Sequence, residues 1–550
     1  MKKRGSPGSL SLFALSIALP SIALLSASCA GKNPGSAAGV ANAPASAPLV
    51  LVRGNGPEPD SLDPQRARNF ESHQILRDMY ECLTAIGKDA SPVPALAESW
   101  EVSPDGRRYT FHLRSNARWS NGDKVVSDDV VAGLRRLVDP ATASEYAQLV
   151  DIIAGARDII TGQKTPETLA VSAPDATTVL IELTQPAPYL PGLLSHPTTC
   201  PVHRASLARF GKDFMKPGNS VSNGAFALGS WVEGSRIELT RNHYYWNDAA
   251  THLDGVRFIP FNDVTTEYTR YRAGELHVTA VVPPNQFDKI RSERPAEMHI
   301  GPQLGVYFYG FVLEREPFRS KPALRRALSL VIDRERLTRD VTKLGELPAY
   351  GWVPPGTWNY SSQSFDYAGR SMQEKLAEAR QLYAAAGYSA TRPLQFELRY
   401  NTGESHNRLA VAVAGMWKEA LGVQVKLSAV EFKVLQDDVR ARQMDLFRLA
   451  WIGDYNDAYN FLQYFKSDFG INLPHYRNAA YDNLLTNAAQ DTDIVKRRAT
   501  LQAAERLMLA DHSVIPLYFY VNKHLVSPRV SGWYDDVMNV VYSKDLTLAR

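Results

Sequence analysis

The sequence predicts an α/β fold that contains a parallel sheet. Between residues 394 and 451, three apolar stretches of strand length alternate with two stretches of helical periodicity. Strands that are separated by helices of this length favour parallel pairing. The part of the chain from about Leu49 onward holds about 500 residues, a length that implies two or more domains.

Each element of this βαβαβ unit has its own signal. Residues 394–400 alternate apolar and polar side chains, which is typical of a strand with one buried face. A helix is predicted from about 406 to 420, because its apolar residues form one stripe and Gly422 stands just past its end. A second strand at 423–427, a helix at about 431–442 and a third strand at 445–451 follow.

The end of the third strand carries the most informative residues of the chain. Arg448 lies inside this apolar strand, and Asp454 follows it directly after a glycine. Open parallel sheets bind ligands beyond the carboxyl ends of their strands, and a cation and an anion a few residues apart suit a zwitterion such as a free peptide. An arginine in an apolar strand is also typical of a head group that reaches solvent or pairs with a nearby acid, so the residues alone leave both interpretations open.

The N-terminal region has the pattern of an export signal. Residues 1–28 combine a basic start, an apolar run and a small-residue segment, which predicts a secretory signal peptide. Cys29 follows small residues as in a bacterial lipobox, so lipidation of Cys29 is predicted, with a freely exported protein as the alternative. Residues 29–48 are rich in Ala, Gly, Ser and Pro, which indicates an anchor followed by a flexible linker. We expect the mature chain to meet a membrane only through this anchor, because no later apolar run is long enough to span a bilayer.

Charge and cysteine content exclude some function classes and leave one question open. The chain has 61 Lys and Arg against 58 Asp and Glu, and three of the basic residues lie in the predicted signal peptide. This balance gives no support for nucleic-acid binding. Cys82 and Cys200 are the only cysteines besides Cys29, and the sequence does not decide between a disulfide and two buried thiols.

A signature segment at residues 97–130 points to a known family. It contains a turn at Pro104-Asp105-Gly106, an alternating strand, a turn at Asn121-Gly122, and a helix start with Ser127 as the expected N-cap. This segment resembles the extracellular solute-binding proteins that serve peptide-importing ABC transporters. The resemblance runs from about residue 51 to 542 and is greatest to the oligopeptide-binding members. A later block at 372–388 also matches, with Ser371 and Glu374 expected to form a capping box.

The resemblance implies a two-lobed type II periplasmic-binding-protein fold with an extra small α+β domain inserted in lobe one. On this scheme lobe one combines residues 49–80, 205–304 and 522–550. The inserted domain takes residues 81–204, and lobe two takes residues 305–521.

The resemblance also implies a peptide site in the cleft between the lobes. Asp454 matches the residue that takes the peptide α-ammonium, and Arg448 matches one that meets the carboxylate of short peptides. Ala450 and Ile452 supply backbone groups that pair with the peptide as an added strand. The other matching positions are His406 near the peptide C-terminus, Tyr146 from the inserted domain, and Trp451 and Phe432 as pocket walls, although both aromatics are equally consistent with plain core residues.

Several positions depart from the family pattern. A cleft lysine is replaced by Thr342, with Lys343 adjacent, and a cleft arginine is replaced by Val439, with Arg440 adjacent. An acidic cleft residue is replaced by Arg68, which suggests a preference for acidic side chains. The disulfide of the enterobacterial members cannot form, because its positions are occupied by Gly305 and Ile452.

Together these observations predict an exported, monomeric peptide receptor of the periplasm or cell envelope. It delivers short peptides to an inner-membrane ABC permease whose ATPase subunits are separate chains, since this chain lacks a phosphate-binding loop. No metal, cofactor or catalytic activity is expected. The alternatives are a same-fold receptor for a dipeptide, metal chelate, haem or sugar, a peptide sensor, and, remotely, a secreted hydrolase, for which the chain lacks a nucleophile elbow or a His-Glu-x-x-His helix.

Overall fold

Three large sheets, with two small two-stranded sheets, organise the part of the chain that the computed structural model describes, residues 47–550. Sheet I has four strands, sheet II has four, and sheet III has six. The strands are β1 (Val50–Gly54), β2 (Thr84–Ile86), β3 (Pro92–Pro94), β4 (Ala97–Val102), β5 (Arg108–Leu113), β6 (Val171–Asp175), β7 (Thr178–Glu182), β8 (Phe226–Val232), β9 (Arg236–Arg241), β10 (Gly255–Ile259), β11 (Met298–Phe311), β12 (Leu347–Pro348), β13 (Gln395–Asn401), β14 (Gln424–Val430), β15 (Leu446–Ile452), β16 (Val514–Leu525), β17 (Val530–Ser531) and β18 (Thr547–Leu548).

Helices flank these sheets. They are α1 (Phe70–Met79), α2 (Ser127–Val138), α3 (Ala156–Ile160), α4 (Leu190–Leu193), α5 (Arg204–Phe210), α6 (Val264–Arg272), α7 (Phe287–Glu293), α8 (Pro322–Leu330), α9 (Arg334–Arg336), α10 (Met372–Ala385), α11 (Glu404–Leu421), α12 (Phe432–Arg440), α13 (Ala458–Leu462), α14 (Ala479–Gln490) and α15 (Ile494–Ala510). No helix among residues 47–550 is long and apolar enough to cross a membrane.

The strand order separates the sheets along the chain. Sheet I has the order β1-β10-β9-β8, with β1 parallel to β10, and sheet II has the antiparallel order β4-β5-β7-β6. Sheet III has the order β12-β16-β11-β15-β13-β14, and the two small sheets are the pairs β2-β3 and β17-β18. The strands of sheets I and II come from the stretches predicted for lobe one and its inserted domain, while the residue limits of the domains stay predictions. The predicted signal peptide, Cys29 and nearly all of the linker lie outside the described residues.

The predicted βαβαβ unit forms the outer part of sheet III. β13 pairs in parallel with both β14 and β15, as the sequence predicts. The sequence did not predict β11 and β16. These strands run antiparallel to each other, and β11 is also antiparallel to β15, so sheet III is a mixed sheet. β15 ends at Ile452, so Asp454 follows the carboxyl end of a strand in the expected way.

β11 and β16 also connect sheet III to the region of sheet I. Residues 298–302 of β11 pair with 521–525 of β16, and residues 306–310 pair with 514–519, with the register broken in between. At this break the Leu304 N–H donates to the Val537 carbonyl at 2.8 Å, and the Leu304 carbonyl accepts from the Gly453 N–H at 2.8 Å. The break lies next to the predicted boundaries between the lobes, and we refer to residues 303–305 as the ladder break.

Local signals in the sequence mostly have the expected structural result. Ser371 and Glu374 form the predicted capping box, and Gly422 ends α11 with a φ of 75°, which favours glycine. The prediction for Ser127 was wrong. The N-cap position is Val126, whose N–H donates to the Asp129 carboxylate, while the Ser127 hydroxyl donates to the Asp175 carbonyl.

The two cysteines form a disulfide. Cys82 and Cys200 have a Cα–Cα distance of 4.2 Å and are 118 residues apart in sequence. The bond joins the segment after α1 to the end of the predicted inserted domain, so the alternative of two buried thiols is wrong.

Candidate functional site

The edge of β15 that faces away from β11 is unpaired over its last residues. β13 pairs with β15 only at Leu446 and Phe447, and among the described residues the rest of β15 pairs with β11 alone. The Gly453 N–H points to β11 because it donates to the Leu304 carbonyl. Backbone groups alternate along a strand, so the N–H and C=O groups of Ala450 and Ile452 point to the open edge. Ile452 is 46% exposed, and this edge has the geometry that accepts an added peptide strand.

Asp454 stands at one end of this open edge as an anion without a cationic partner. Its side chain is exposed to solvent but lies in a recess surrounded by protein atoms, and this burial raises the pKa of its carboxyl group. The nearby Asn460 side chain acts in the opposite direction and favours the ionised form, although its Nδ2 makes no hydrogen bond within residues 47–550. Asp454 makes no ion pair with any residue between 47 and 550. A carboxylate in such a recess attracts a ligand ammonium.

Tyr146 is the aromatic residue that approaches Asp454 from the predicted inserted domain. Burial raises the pKa of the Tyr146 hydroxyl, and the Asp454 carboxylate raises it further, so the two groups are within electrostatic reach. The hydroxyl donates to the Arg68 carbonyl at 3.4 Å. The ring stacks on His196 with a centroid distance of 4.7 Å. Tyr146 and Asp454 are therefore near each other, and their role as two sides of one peptide cleft stays a prediction.

Asn460 links Trp451 to Asp454. The indole Nε1 of Trp451 donates to Asn460 Oδ1 at 2.9 Å, while the Asn460 side chain also interacts with Asp454. Trp451 is partly buried and lies 5.1 Å from Tyr464 between ring centroids. Sequence reasoning missed Asn460, because it follows Asp454 on the next helix, α13, and no local pattern marks it.

Arg448 is a buried cation held by neutral groups. The residue is 7% exposed, and its guanidinium donates to Asn401 Oδ1 at 2.9 Å and to the Tyr520 hydroxyl at 3.2 Å. It also lies 4.2 Å from the centroid of the Tyr307 ring, and its Nε has no hydrogen-bond partner among the described residues. Arg448 makes no ion pair with Asp454, so the interpretation of these two residues as a charge pair of the fold is wrong. A buried guanidinium without a carboxylate is electrostatically incomplete and favours an anionic ligand.

His406 and Arg448 both contact Tyr307. The His406 Nδ1 lies 3.3 Å from the Tyr307 hydroxyl. Burial and the nearby Arg448 lower the pKa of His406 to about 4, so the imidazole is neutral at neutral pH and offers a hydrogen bond rather than a charge. Sequence reasoning missed Tyr307, Asn401 and Tyr520. The signal that could have found the two tyrosines is the alternation of tyrosines along β11 and β16.

The remaining predicted residues lie further from these groups. Phe432 is the first residue of α12 and is 45% exposed, so its interpretation as a core residue is wrong. Arg440, at the other end of α12, lies 3.5 Å from the Asp437 carboxylate. Lys343 has a φ of 57°, and its backbone N–H donates to the Thr338 carbonyl at 3.0 Å, while its side chain makes no hydrogen bond or ion pair with residues 47–550. None of these three contacts Asp454 or Arg448 through a hydrogen bond or ion pair.

Arg68 has its charge compensated. Its Nε lies 2.9 Å from Asp60, and its Nη1 lies 3.1 Å from Glu145. These two carboxylates reduce the attraction that Arg68 exerts on an acidic ligand side chain. Within residues 47–550 no cluster of His, Cys, Asp and Glu side chains is arranged to hold a metal ion.

Comparison with known proteins identifies the family. The model of the bacterial extracellular solute-binding proteins, family 5, middle region, matches residues 91–472. The periplasmic oligopeptide-binding protein OppA of Escherichia coli is 37% identical over 524 residues, which cover 94% of this chain and 96% of that protein. This chain belongs to the family 5 bacterial extracellular solute-binding proteins, as the sequence resemblance predicts.

Two solved structures place the fold within that family. The unliganded open form of the murein tripeptide-binding protein MppA has a TM-score of 0.86 at 35% identity, covering 92% of this chain and 99% of that chain. The Haemophilus influenzae OppA complex with the peptide RPPGFSPFR has a TM-score of 0.71 at 35% identity, with the same coverage of 92% and 99%. The predicted two-lobed α/β fold is confirmed, and the arrangement described here is more similar to the open form than to the peptide complex.

Proposed function

We propose that this protein captures short peptides in the cleft between its lobes and delivers them to an ABC-type peptide permease. The observation that carries this proposal is the open edge of β15 between two charges that have no partner of opposite sign among residues 47–550. Asp454 receives the peptide ammonium, and Arg448 with neutral His406 receives the carboxylate of a short peptide. Main-chain pairing to Ala450 and Ile452 holds the peptide backbone whatever its side chains. The name of the OppA relative, which refers to oligopeptide binding, supports the same conclusion.

The open arrangement fits a receptor that closes on its ligand. Closing over Asp454 without a ligand removes solvent from a carboxylate that has no cation, which costs free energy. A peptide that contacts both lobes binds the closed state better and shifts the equilibrium toward it. The closed receptor is then the form that a permease with separate ATPase subunits recognises.

Trp451 and Phe432 line side-chain pockets in this proposal, and Lys343, Arg440 and Arg68 modulate peptide length and side-chain preference.

The protein is an exported monomer that acts as a binding protein and not as an enzyme, and Cys29 tethers it to the membrane through a lipid. The relatives named above, with periplasmic binding in their names, support export. Mass spectrometry of the purified mature protein tests the tether, because acyl groups on Cys29 add their mass to the N-terminal peptide.

The test of function is calorimetric titration with one tripeptide in three forms. We expect the free tripeptide to bind at least tenfold more tightly than its N-acetylated form and more tightly than its C-amidated form. Equal affinity for the free and acetylated forms would contradict the ammonium site. Mass spectrometry of ligands released on denaturation distinguishes peptides from the metal chelates, haem or sugars that other receptors of this fold carry.

A further inference from the structure

A cavity of about 600 Å³ opens at the carboxyl end of the parallel pair in sheet I. It is bordered by Gly54 at the end of β1, by α6, by the loop that follows it at residues 278–282, and by residues 521–524 next to the ladder break. Leu344 from the predicted lobe two completes one wall. The carboxyl ends of parallel strands are the ligand side of open α/β sheets, yet none of the peptide-site residues described above lines this cavity.

Glu267 is the unusual polar group of this cavity. It projects from α6, is 1% exposed, and accepts a hydrogen bond from the Ala280 N–H through Oε1 at 2.6 Å. Its Oε2 makes no hydrogen bond with any described residue. Burial raises the pKa of Glu267 to about 7, although the Ala280 and Val281 N–H groups favour the ionised form. No cation lies among its partners, and an unpaired buried carboxylate oxygen is costly unless a ligand donor satisfies it.

The Glu267 carboxylate lies directly against the backbone of Gly54. Only glycine leaves room for the carboxylate at this position. A Cβ on Gly54 would lie 1.8 Å from Glu267 Oε1. This is far inside van der Waals contact. Any other residue at position 54 would displace Glu267 from the cavity wall.

The other ionisable groups that line the cavity differ in how their charges are balanced. Arg53 is buried and donates to the Val541 carbonyl and the Ser543 hydroxyl, and Lys523 pairs with Glu346 at 3.3 Å. His524 lies 3.0 Å from the Thr279 carbonyl and 2.8 Å from Asn539 Oδ1. Glu71 makes no ion pair with residues 47–550, and burial raises its pKa. Glu71 and Glu267 are therefore the carboxylates of the lining that have no ion-pair partner among residues 47–550, and Arg53 is the cation of the lining without one.

The walls of the cavity suit a methylene chain. Its apolar lining includes Phe261, Val282 and Leu344. Phe70 and Val281 also line it and are 44% and 42% exposed. An apolar passage that ends at a buried carboxylate matches a side chain with an aliphatic stem and a cationic head.

From this geometry we infer that the cavity is a side-chain pocket for a lysine-type residue of the bound peptide, with Glu267 as the acceptor of its ammonium. The inference rests on the proposed peptide function and adds a side-chain preference to it. In this arrangement the ammonium donates to Glu267 Oε2, while the aliphatic stem covers Phe261 and Val282. Glu267 is then a specificity residue for the peptide and is separate from the terminal-charge site at Asp454.

The test uses the full chain and pentapeptides of alanine in which one position carries lysine or norleucine. We expect the lysine peptide to bind at least tenfold more tightly than its norleucine counterpart at one or more positions. The Glu267→Gln variant, which keeps the shape and the acceptor for Ala280, should reduce this ratio to less than twofold. Its affinity for pentaalanine should stay within twofold of the wild type, which also shows that it is folded.

Glu71→Gln is the matched control, because it removes the other uncompensated carboxylate of the same cavity. The inference is overturned if no position prefers lysine, if the preference persists in Glu267→Gln, or if Glu71→Gln alone abolishes it. If pentaalanine fails to bind the wild type, the proposed function itself fails, so the two failures are distinguishable. Calorimetry at pH 7 in two buffers of different ionisation enthalpy gives a second readout, since lysine binding should release protons from Glu267 and norleucine binding should not.

Discussion

Asp454 and Arg448 differ in how the protein supports their charges. Asp454 keeps contact with solvent and has a neutral amide nearby, while Arg448 is buried under Tyr307 and held by the Asn401 and Tyr520 oxygens. In the proposed site the ammonium end is therefore open to ligands before closure, and the carboxylate end is preformed. The sequence indicated both charges. It did not show which neutral groups surround them, since those near Arg448 lie on β11, β13 and β16, far away in sequence, and no local pattern marks Asn460 on α13.

Peptide affinity should depend on pH through Asp454. Pairing with an ammonium requires the ionised carboxylate, so binding lowers the pKa of Asp454 and releases a proton. Because burial raises that pKa in the free protein, affinity should fall as pH is lowered from 7.5 to 4.5. A C-amidated tripeptide in calorimetry isolates this end of the site from the titration of His406.

The matched variant is Asp454→Asn, which we expect to bind at least tenfold more weakly at pH 7.5 and to show a flat pH profile. Asp468→Asn is the control, because Asp468 is an exposed acid that already has Lys466 as its partner. A pH slope that survives in Asp454→Asn would assign the titration to another group.

Arg448→Met should weaken binding of a free tripeptide at least tenfold, the effect expected from losing a charge-assisted hydrogen bond of about 1.5–3 kcal/mol. The methionine fills the space over Tyr307 and leaves the sheet intact. The C-amidated tripeptide should bind wild type and variant within about twofold of each other. If both forms of the peptide lose affinity equally, Arg448 acts through the fold and not through the carboxylate.

At the scale of elements, the βαβαβ unit of sheet III was predictable because its signals are local. Alternation over 394–400, the stripe and glycine of α11, and the capping box of α10 each lie within one element, and each element was found within a few residues of its predicted bounds. β11 and β16 have no such local logic. They pair with each other across more than 200 residues of chain, so the periodicity of the sequence could not predict their pairing.

The open edge of β15 allows a test by proline substitution. Ile452→Pro removes an N–H that points to the open edge and leaves the pairing with β11 in place. We expect peptide affinity to fall at least tenfold while the melting temperature changes by only a few degrees. The control is Leu449→Pro, whose N–H faces β11 and whose loss should destabilise the protein strongly. A folded Ile452→Pro variant with unchanged affinity would rule out strand addition at this edge.

At the scale of the whole molecule, the Cys82–Cys200 bond closes a loop that contains most of the predicted inserted domain. Closing a loop of this length stabilises a fold by about 4–5 kcal/mol in the chain-entropy model. The double variant Cys82→Ser, Cys200→Ser should therefore melt several degrees below the wild type in differential scanning calorimetry. Reductant should lower the wild type to the same value and leave the variant unchanged, and equal melting temperatures throughout would contradict a stabilising bond.

Leu304 gives the ladder break a further role. The backbone of this residue makes hydrogen bonds to two distant parts of the chain. Its carbonyl accepts from the Gly453 N–H beside Asp454, and its N–H donates to the Val537 carbonyl near the C-terminus. In the proposed mechanism, a ligand that displaces Asp454 also displaces the ladder break, because these two hydrogen bonds connect them. Peptide capture and closure of the lobes would then be coupled at residues 303–305, and a fluorophore pair placed across these residues would turn the receptor into an optical peptide sensor.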